Sequence, residues 1–292
     1  MNKILRQTRL DNGKYLRLEL RPDLGGAIGG LWLDNIPILR PTPAHAQSSR
    51  ETACFPMIPY SGRLAWCRFN WDGANYTTQK NFAESPHSLH GVGWQRAWQM
   101  ASQQESDTSR AYMNYVHDGD ADWPFAFLAA QEFILDGNGL KIKLTLTNKD
   151  QRPQPVGLGF HPYFPRTDVS HIATRVKSRW DVDASLLPSR EIAQTIVNDR
   201  VSAMNYDHCF GGWAGSVAIE QAGGLKFNLG ATPANYLVIY TPQDKDYFCV
   251  EPVSHRTNAL NDPDPDPDPS QHGLRILASG DEMTATMYFR FG

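Results

Sequence analysis

The sequence predicts an all-β fold, a sandwich or a barrel, and three observations carry that reading. Apolar and polar residues alternate in several short runs. Turn-forming residues separate those runs, with 23 Gly and 20 Pro among 292 residues. Long amphipathic helices are scarce. Tyr15-Leu16-Arg17-Leu18-Glu19-Leu20 alternates near the start. Gln131-Glu132-Phe133-Ile134-Leu135 and Leu140-Lys141-Ile142-Lys143-Leu144-Thr145-Leu146-Thr147 flank the turn cluster Asp136-Gly137-Asn138-Gly139, which predicts a hairpin. Residues 189–201 are the one stretch read as a short helix. Tyr236-Leu237-Val238-Ile239-Tyr240 is an apolar strand before Thr241-Pro242. Tyr247-Phe248-Cys249-Val250 leads into Glu251-Pro252, and residues 284–291 close the chain as a last strand. The run Asp262-Pro263-Asp264-Pro265-Asp266-Pro267-Asp268-Pro269 cannot enter a sheet interior. It reads as an extended solvated loop rather than a cation site, because polyproline II geometry points successive carboxylates in different directions.

A chain of 292 residues fits one large β domain or two ordinary ones. No linker divides it, so residues 1–292 are expected to form a single domain. The net charge of -3 and the absence of a basic run argue against nucleic acid or an anionic membrane as partner. Cys54, Cys67, Cys209 and Cys249 are scattered without a paired spacing, which suggests reduced thiols in a cytoplasm. The first residues lack the apolar stretch of a signal peptide, and no apolar run reaches the roughly 18 residues of a membrane span.

Polar residues that a strand-rich core would not choose fall in four segments, with a weaker fifth. They are Pro59-Tyr60-Ser61-Gly62-Arg63-Leu64, Ser88-Leu89-His90-Gly91-Val92-Gly93-Trp94, Gly157-Leu158-Gly159-Phe160-His161-Pro162-Tyr163-Phe164 and Phe248-Cys249-Val250-Glu251-Pro252-Val253-Ser254-His255. The fifth is Asn205-Tyr206-Asp207-His208-Cys209-Phe210. Singly, each residue has an ordinary explanation. His161 fits a satisfied structural histidine, Glu251 an ion-paired strand end, Arg63 a surface arginine and Asp207 a turn aspartate. His87 and His90 have H-x-x-H spacing, but no third ligand is evident and no metal site is expected.

In order along the chain, Pro-Tyr-Ser-x-Arg-Leu, Leu-His-Gly, His-Pro-Tyr-Phe, Asp-His-x-Phe and Glu-Pro form a pattern. That pattern resembles the aldose 1-epimerase (galactose mutarotase) family over nearly the whole chain. Within it the bacterial subgroup with His-Pro-Tyr-Phe-Pro and Glu-Pro-x-Ser-His is most similar. The resemblance implies a large antiparallel β-sandwich with a sugar in an open cleft on one sheet face, and no metal or organic cofactor. It implies that His161 is the general acid and Glu251 the general base. Arg63, His90 and Asp207 would bind hydroxyls or steady that pair. Two positions depart from the pattern: Gly62 stands where Asn is common before the arginine, and Tyr206 where an aliphatic residue is common.

The chemistry asks for such groups. Anomer interconversion opens the ring, which removes the anomeric hydroxyl proton and protonates the ring oxygen. A carboxylate alone is a weak base for a hydroxyl, so simultaneous acid catalysis is needed. Histidine suits the donor, and a nearby carboxylate should favour its charged form. Trp94, Phe82, Tyr163 and Phe164 are candidates to stack on the C–H face of a hexose. The expected partner is a free monosaccharide, bound by a monomer or homodimer. A hexose 6-phosphate 1-epimerase and a non-catalytic carbohydrate-binding protein are the alternatives.

Overall fold

Strand alternation dictates a layered molecule, and the computed structural model, which describes residues 4–101, 109–261 and 272–291, has two large antiparallel sheets of eleven and nine strands. In the larger sheet the order runs Ile4–Arg9, Tyr15–Arg21, Ala27–Leu33, Cys54–Met57, Gly159–Pro165, Tyr247–Val253, Tyr236–Tyr240, Asp207–Gly211, Ser178–Val182 and Pro188–Ala193. The short Ile36–Pro37 strand pairs with Ala27–Leu33 off this path. The expected hairpin forms between Phe127–Asp136 and Gly139–Asn148, with Asp136 opposite Gly139. Gly139 sits at φ +141, where an added Cβ would fall 2.0 Å from the Phe289 carbonyl oxygen, so glycine alone closes this turn.

Burial follows the period of two. Leu16, Leu18 and Leu20 join Phe133, Ile142, Leu144 and Phe289 in one core between the sheets. The central strands of the larger sheet are buried on both faces, as near-continuous apolar runs require. From Gly159–Pro165, Phe160 and Phe164 enter the main core while Tyr163 joins a second cluster with Phe55, Met57, Trp94, Cys249 and Val253. That second face carries His161 and Glu251. Phe164 therefore is not a sugar-stacking residue. It lies at 0% exposure against Phe248 and Phe227.

The helix expected at residues 189–201 is absent. Pro188–Ala193 pairs with Ser178–Val182 at the edge of one sheet, and Ile196–Arg200 pairs with His171–Arg175 at the edge of the other. The β-branched Ile192, Thr195, Ile196 and Val197 suit strands, and each edge strand takes its hydrogen bonds from a neighbour in the sheet. The Tyr247–Val253 strand also runs further than expected and contains Glu251 and Pro252. All four cysteines are free thiols. No helix among the described residues is long and apolar enough to cross a membrane. The Asp-Pro run at 262–269 lies outside the described residues.

Candidate active site

The alternation that sends Phe160 and Phe164 inward turns His161 to the opposite face of the larger sheet. Glu251 reaches the same face from the adjacent strand, and its carboxylate Oε1 lies 3.4 Å from the His161 Nε2. Both side chains are almost fully buried. The His161 ring packs against Phe55 and Tyr163, with centroids 4.5 and 4.6 Å away. The His90 ring meets it edge-on at 5.2 Å. These groups lie along a cleft of about 750 Å³ whose lining includes Arg63, His90, Trp94, His161, Asp207 and Glu251. The structure thus gathers all six residues singled out in the sequence.

Arg63 and Asp207, 144 positions apart, form a two-point ion pair, Nη2 to Oδ2 at 2.8 Å and Nη1 to Oδ1 at 3.4 Å. Arg63 stands on the two-residue strand Arg63–Leu64, which pairs with Ser88–Leu89 and brings the His90 turn beside it. His90 has φ +61, and its backbone N–H donates to the Gly62 carbonyl at 2.9 Å. Its Nδ1 accepts the Gly62 N–H at 3.1 Å, which in a neutral ring leaves the proton on Nε2. Trp94 is only 2% exposed. Its Nε1–H donates to the Leu89 and Gly91 carbonyls, each at 3.1 Å, and its ring stacks on Phe55. That geometry makes Trp94 a brace for the His90 turn and leaves little of it for a ligand. Phe82 and Tyr163 also line the cleft.

Four contributors were assigned no role in the sequence, although His208 and His255 sit inside its motifs and His87 was weighed only as a metal ligand; Thr257 carried no signal. His255 lies within the Glu-Pro-Val-Ser-His stretch. Its Nε2 accepts the Ser61 N–H at 2.9 Å while Nδ1 donates to its neighbour's carbonyl. It therefore joins the strand of Glu251 to the loop of Arg63. His87 does not pair with His90. Its Nδ1 accepts the Trp66 N–H and its Nε2 donates to the Ser185 carbonyl, both at 2.9 Å. Three neutral imidazoles thus receive backbone donors of the Ser61–Trp66 segment. His208 lines the cleft and accepts the Asp207 N–H through Nδ1. Thr257 lines it beside Gly62, which has φ +69, and a Cβ on Gly62 would lie 2.9 Å from the Thr257 Oγ1.

The His255 contact has a measurable consequence. A Cβ at Gly157 would fall 1.8 Å from the His255 ring. Gly157→Ala is expected to cost about 1–3 kcal/mol of stability by urea unfolding and to raise KM by displacing Ser61–Arg63. A variant with wild-type stability and KM would show that His255 does not fix this loop.

Burial sets the proton affinities. It pushes Glu251 well above the usual carboxylate range, with Asp207 adding to the rise and Arg63 opposing it. It pushes His161 down to about 3, helped by Arg40 and Arg50. His90 is lowered by burial, then by His161 and Arg63. The expectation that the carboxylate would hold the imidazole charged is thus reversed, because desolvation of both groups outweighs their attraction. The donor atoms of His161, Cys249 and Glu251 lie within 4.8 Å of one another. Such a set suits zinc only as a thiolate, and burial raises the Cys249 thiol well above its ordinary value. We read the cluster as packing.

The aldose 1-epimerase family model matches residues 6–290. The uncharacterized protein YphB of Escherichia coli K12 is 30% identical over 283 residues, covering 92% of this chain and 93% of that one. A solved aldose 1-epimerase candidate from Escherichia coli K12 superposes with a TM-score of 0.83 at 27% identity over 99% of each chain. Galactose 1-epimerase from Lactobacillus acidophilus NCFM shares the fold, with a TM-score of 0.73 at 13% identity over 100% of this chain and 99% of that one.

Proposed function

The chain belongs to the aldose 1-epimerase family, and from that premise we propose that it interconverts the α and β anomers of a free aldohexose by acid–base ring opening and closure. The observation that carries this reading is the buried His161–Glu251 contact of 3.4 Å on the wall of an open cleft.

The two groups hold one proton between them. In the charged arrangement the Glu251 carboxylate takes the anomeric hydroxyl proton while the His161 imidazolium protonates the ring oxygen. The C1–O5 bond breaks, and the pair is left as carboxylic acid and neutral imidazole. Rotation about C1–C2 presents the other carbonyl face. Glu251 then returns its proton to the new hydroxyl as His161 recovers one from O5, so no net proton is consumed. Burial penalises the charged arrangement and brings the ring-opened state closer in energy to the closed one. Arg63 favours the Glu251 carboxylate, which keeps the charged arrangement within reach. The His90 Nε2–H is a fixed donor for a sugar oxygen, and Arg63 with Asp207 supplies paired donors and acceptors for hydroxyls.

A hexose 6-phosphate is the weaker alternative. Arg50 and Arg63, the arginines lining the cleft, are already paired with Glu84 and Asp207. Polarimetry on freshly dissolved α-D-glucose and α-D-galactose tests the proposal. The protein is expected to speed mutarotation of at least one of them and to act more slowly on glucose 6-phosphate. Sugar binding without any acceleration would leave a carbohydrate-binding protein and remove the catalytic reading.

A further inference from the structure

The cleft extends beyond what one pyranose fills. Its volume of about 750 Å³ lies in the upper part of the roughly 300–1,000 Å³ that encloses drug-sized ligands. The excess has a direction. Across the larger sheet Glu251 opposes Val238, Val238 opposes Cys209, and Cys209 opposes Trp180. All four line the cleft. Directly opposed residues share a face, so this row is a straight track over four strands. Three strand spacings put the Trp180 backbone about 14 Å from that of Glu251. That row is longer than the single ring that His161 and Glu251 would hold.

The far end of the track is built. Trp180 is half-buried, and the Arg256 guanidinium lies 4.3 Å from its ring centroid, which fixes the indole. Beyond it the turn joining Ser178–Val182 to Pro188–Ala193 places Leu186 on the cleft wall with φ +63 and 41% exposure. A bulky residue held in the left-handed region, half in solvent, is uncommon and concentrates at ligand sites. The same turn is tied across the cleft by the bond from the His87 Nε2–H to the Ser185 carbonyl. An indole, a leucine and a proline, Pro188, form the wall there. Such a surface suits the C–H face of a second sugar ring.

We infer that Trp180 and Leu186 form a second sugar subsite, and that the preferred substrate is a reducing di- or oligosaccharide whose reducing ring lies at His161 and Glu251. The inference rests on the anomerase reading for its reaction and on the row of cross-strand partners for its length.

The test follows α/β interconversion by NMR for glucose, galactose, maltose, cellobiose and lactose, with calorimetric binding in parallel. At least one disaccharide is expected to show kcat/KM about tenfold above its parent monosaccharide, the ratio one good aromatic contact supplies. Trp180→Ala is expected to abolish that preference and to change the monosaccharide rate less than about twofold. Leu186→Gly suits the backbone at φ +63 and is expected to reduce the preference without loss of fold. Monosaccharides turned over as well as, or better than, every disaccharide would overturn the subsite. So would equal losses on both classes in the two variants. If the wild type interconverts no sugar, the anomerase reading fails and binding decides the subsite. Tighter disaccharide than monosaccharide binding that is lost in Trp180→Ala supports it, and equal or absent binding ends it.

Discussion

Glu251→Gln is expected to lower kcat for anomer interconversion by roughly 10²–10⁴-fold while KM stays within about threefold. The amide keeps the shape of the carboxyl group and cannot exchange a proton with the anomeric hydroxyl. The stability of the variant distinguishes lost chemistry from lost structure. The folded-state pKa of Glu251 is raised by burial. Its contribution to stability is thus full below the unfolded value and is lost as pH rises through the folded one. Glutamine never pays that desolvation, so the variant should match wild type below the unfolded carboxylate value of about 4.3 and unfold at an increasingly higher temperature than wild type as pH rises above it. For the wild-type rate, His161 near 3 draws the acid limb below the ordinary histidine range. Raised Glu251 moves the alkaline limb above the ordinary carboxylate range, and a broad plateau between them is expected. A variant that relaxes the sugar as fast as wild type would remove Glu251 from the mechanism.

The Glu251→Gln protein should lose at least about 3 kcal/mol of stability between pH 6.5 and pH 5, read by urea unfolding. His161 is held down to about 3 and His255 to about 4, both chiefly by burial. Both stay neutral in the fold while the unfolded chain takes up protons below 6.5. A depressed folded pKa means stability that is present above the unfolded value and is lost as pH falls. Each histidine's slope rises from about half of 1.4 kcal/mol per pH unit at 6.5 to nearly all of it at 5, about 1.6 kcal/mol over that window. Buried His90 acts in the same direction. In wild type Glu251 opposes them, since its own contribution grows as pH falls, so a smaller loss is expected there. A loss under about 1 kcal/mol in the glutamine variant would mean that the buried imidazoles are not kept neutral.

The strands that could be read from the sequence are those with one wet face. Along Gly139–Asn148, Lys141, Lys143, Thr145 and Thr147 are half-exposed while Leu140, Ile142, Leu144 and Leu146 are buried, and the alternation is plain in the chain. Residues 189–201 lack that contrast. Most of that segment is exposed on edge strands, so nothing in it distinguishes a helix from two strands. The site could be read as a set of segments and not as a geometry. Arg63 meets Asp207 across 144 positions and His255 meets Ser61 across 194, and no local period encodes such contacts. Trp180 carried no signal because its place beside the cleft depends on the register of three successive strand pairs. The proton affinity of His161 was misread for a similar reason. Sequence supplies its neighbours' charges, but the burial that overrides them belongs to the assembled sheet.

Gly62 was first a missing side chain, and beside Thr257 it becomes half of a shared volume. Its backbone at φ +69 admits asparagine as well as glycine, but the Thr257 hydroxyl already occupies the room that a side chain would enter. Positions 62 and 257 are therefore not free to drift separately. A variant with asparagine before the arginine has to trim residue 257 as well. One that keeps threonine there presents a hydroxyl instead of an amide to that edge of the cleft.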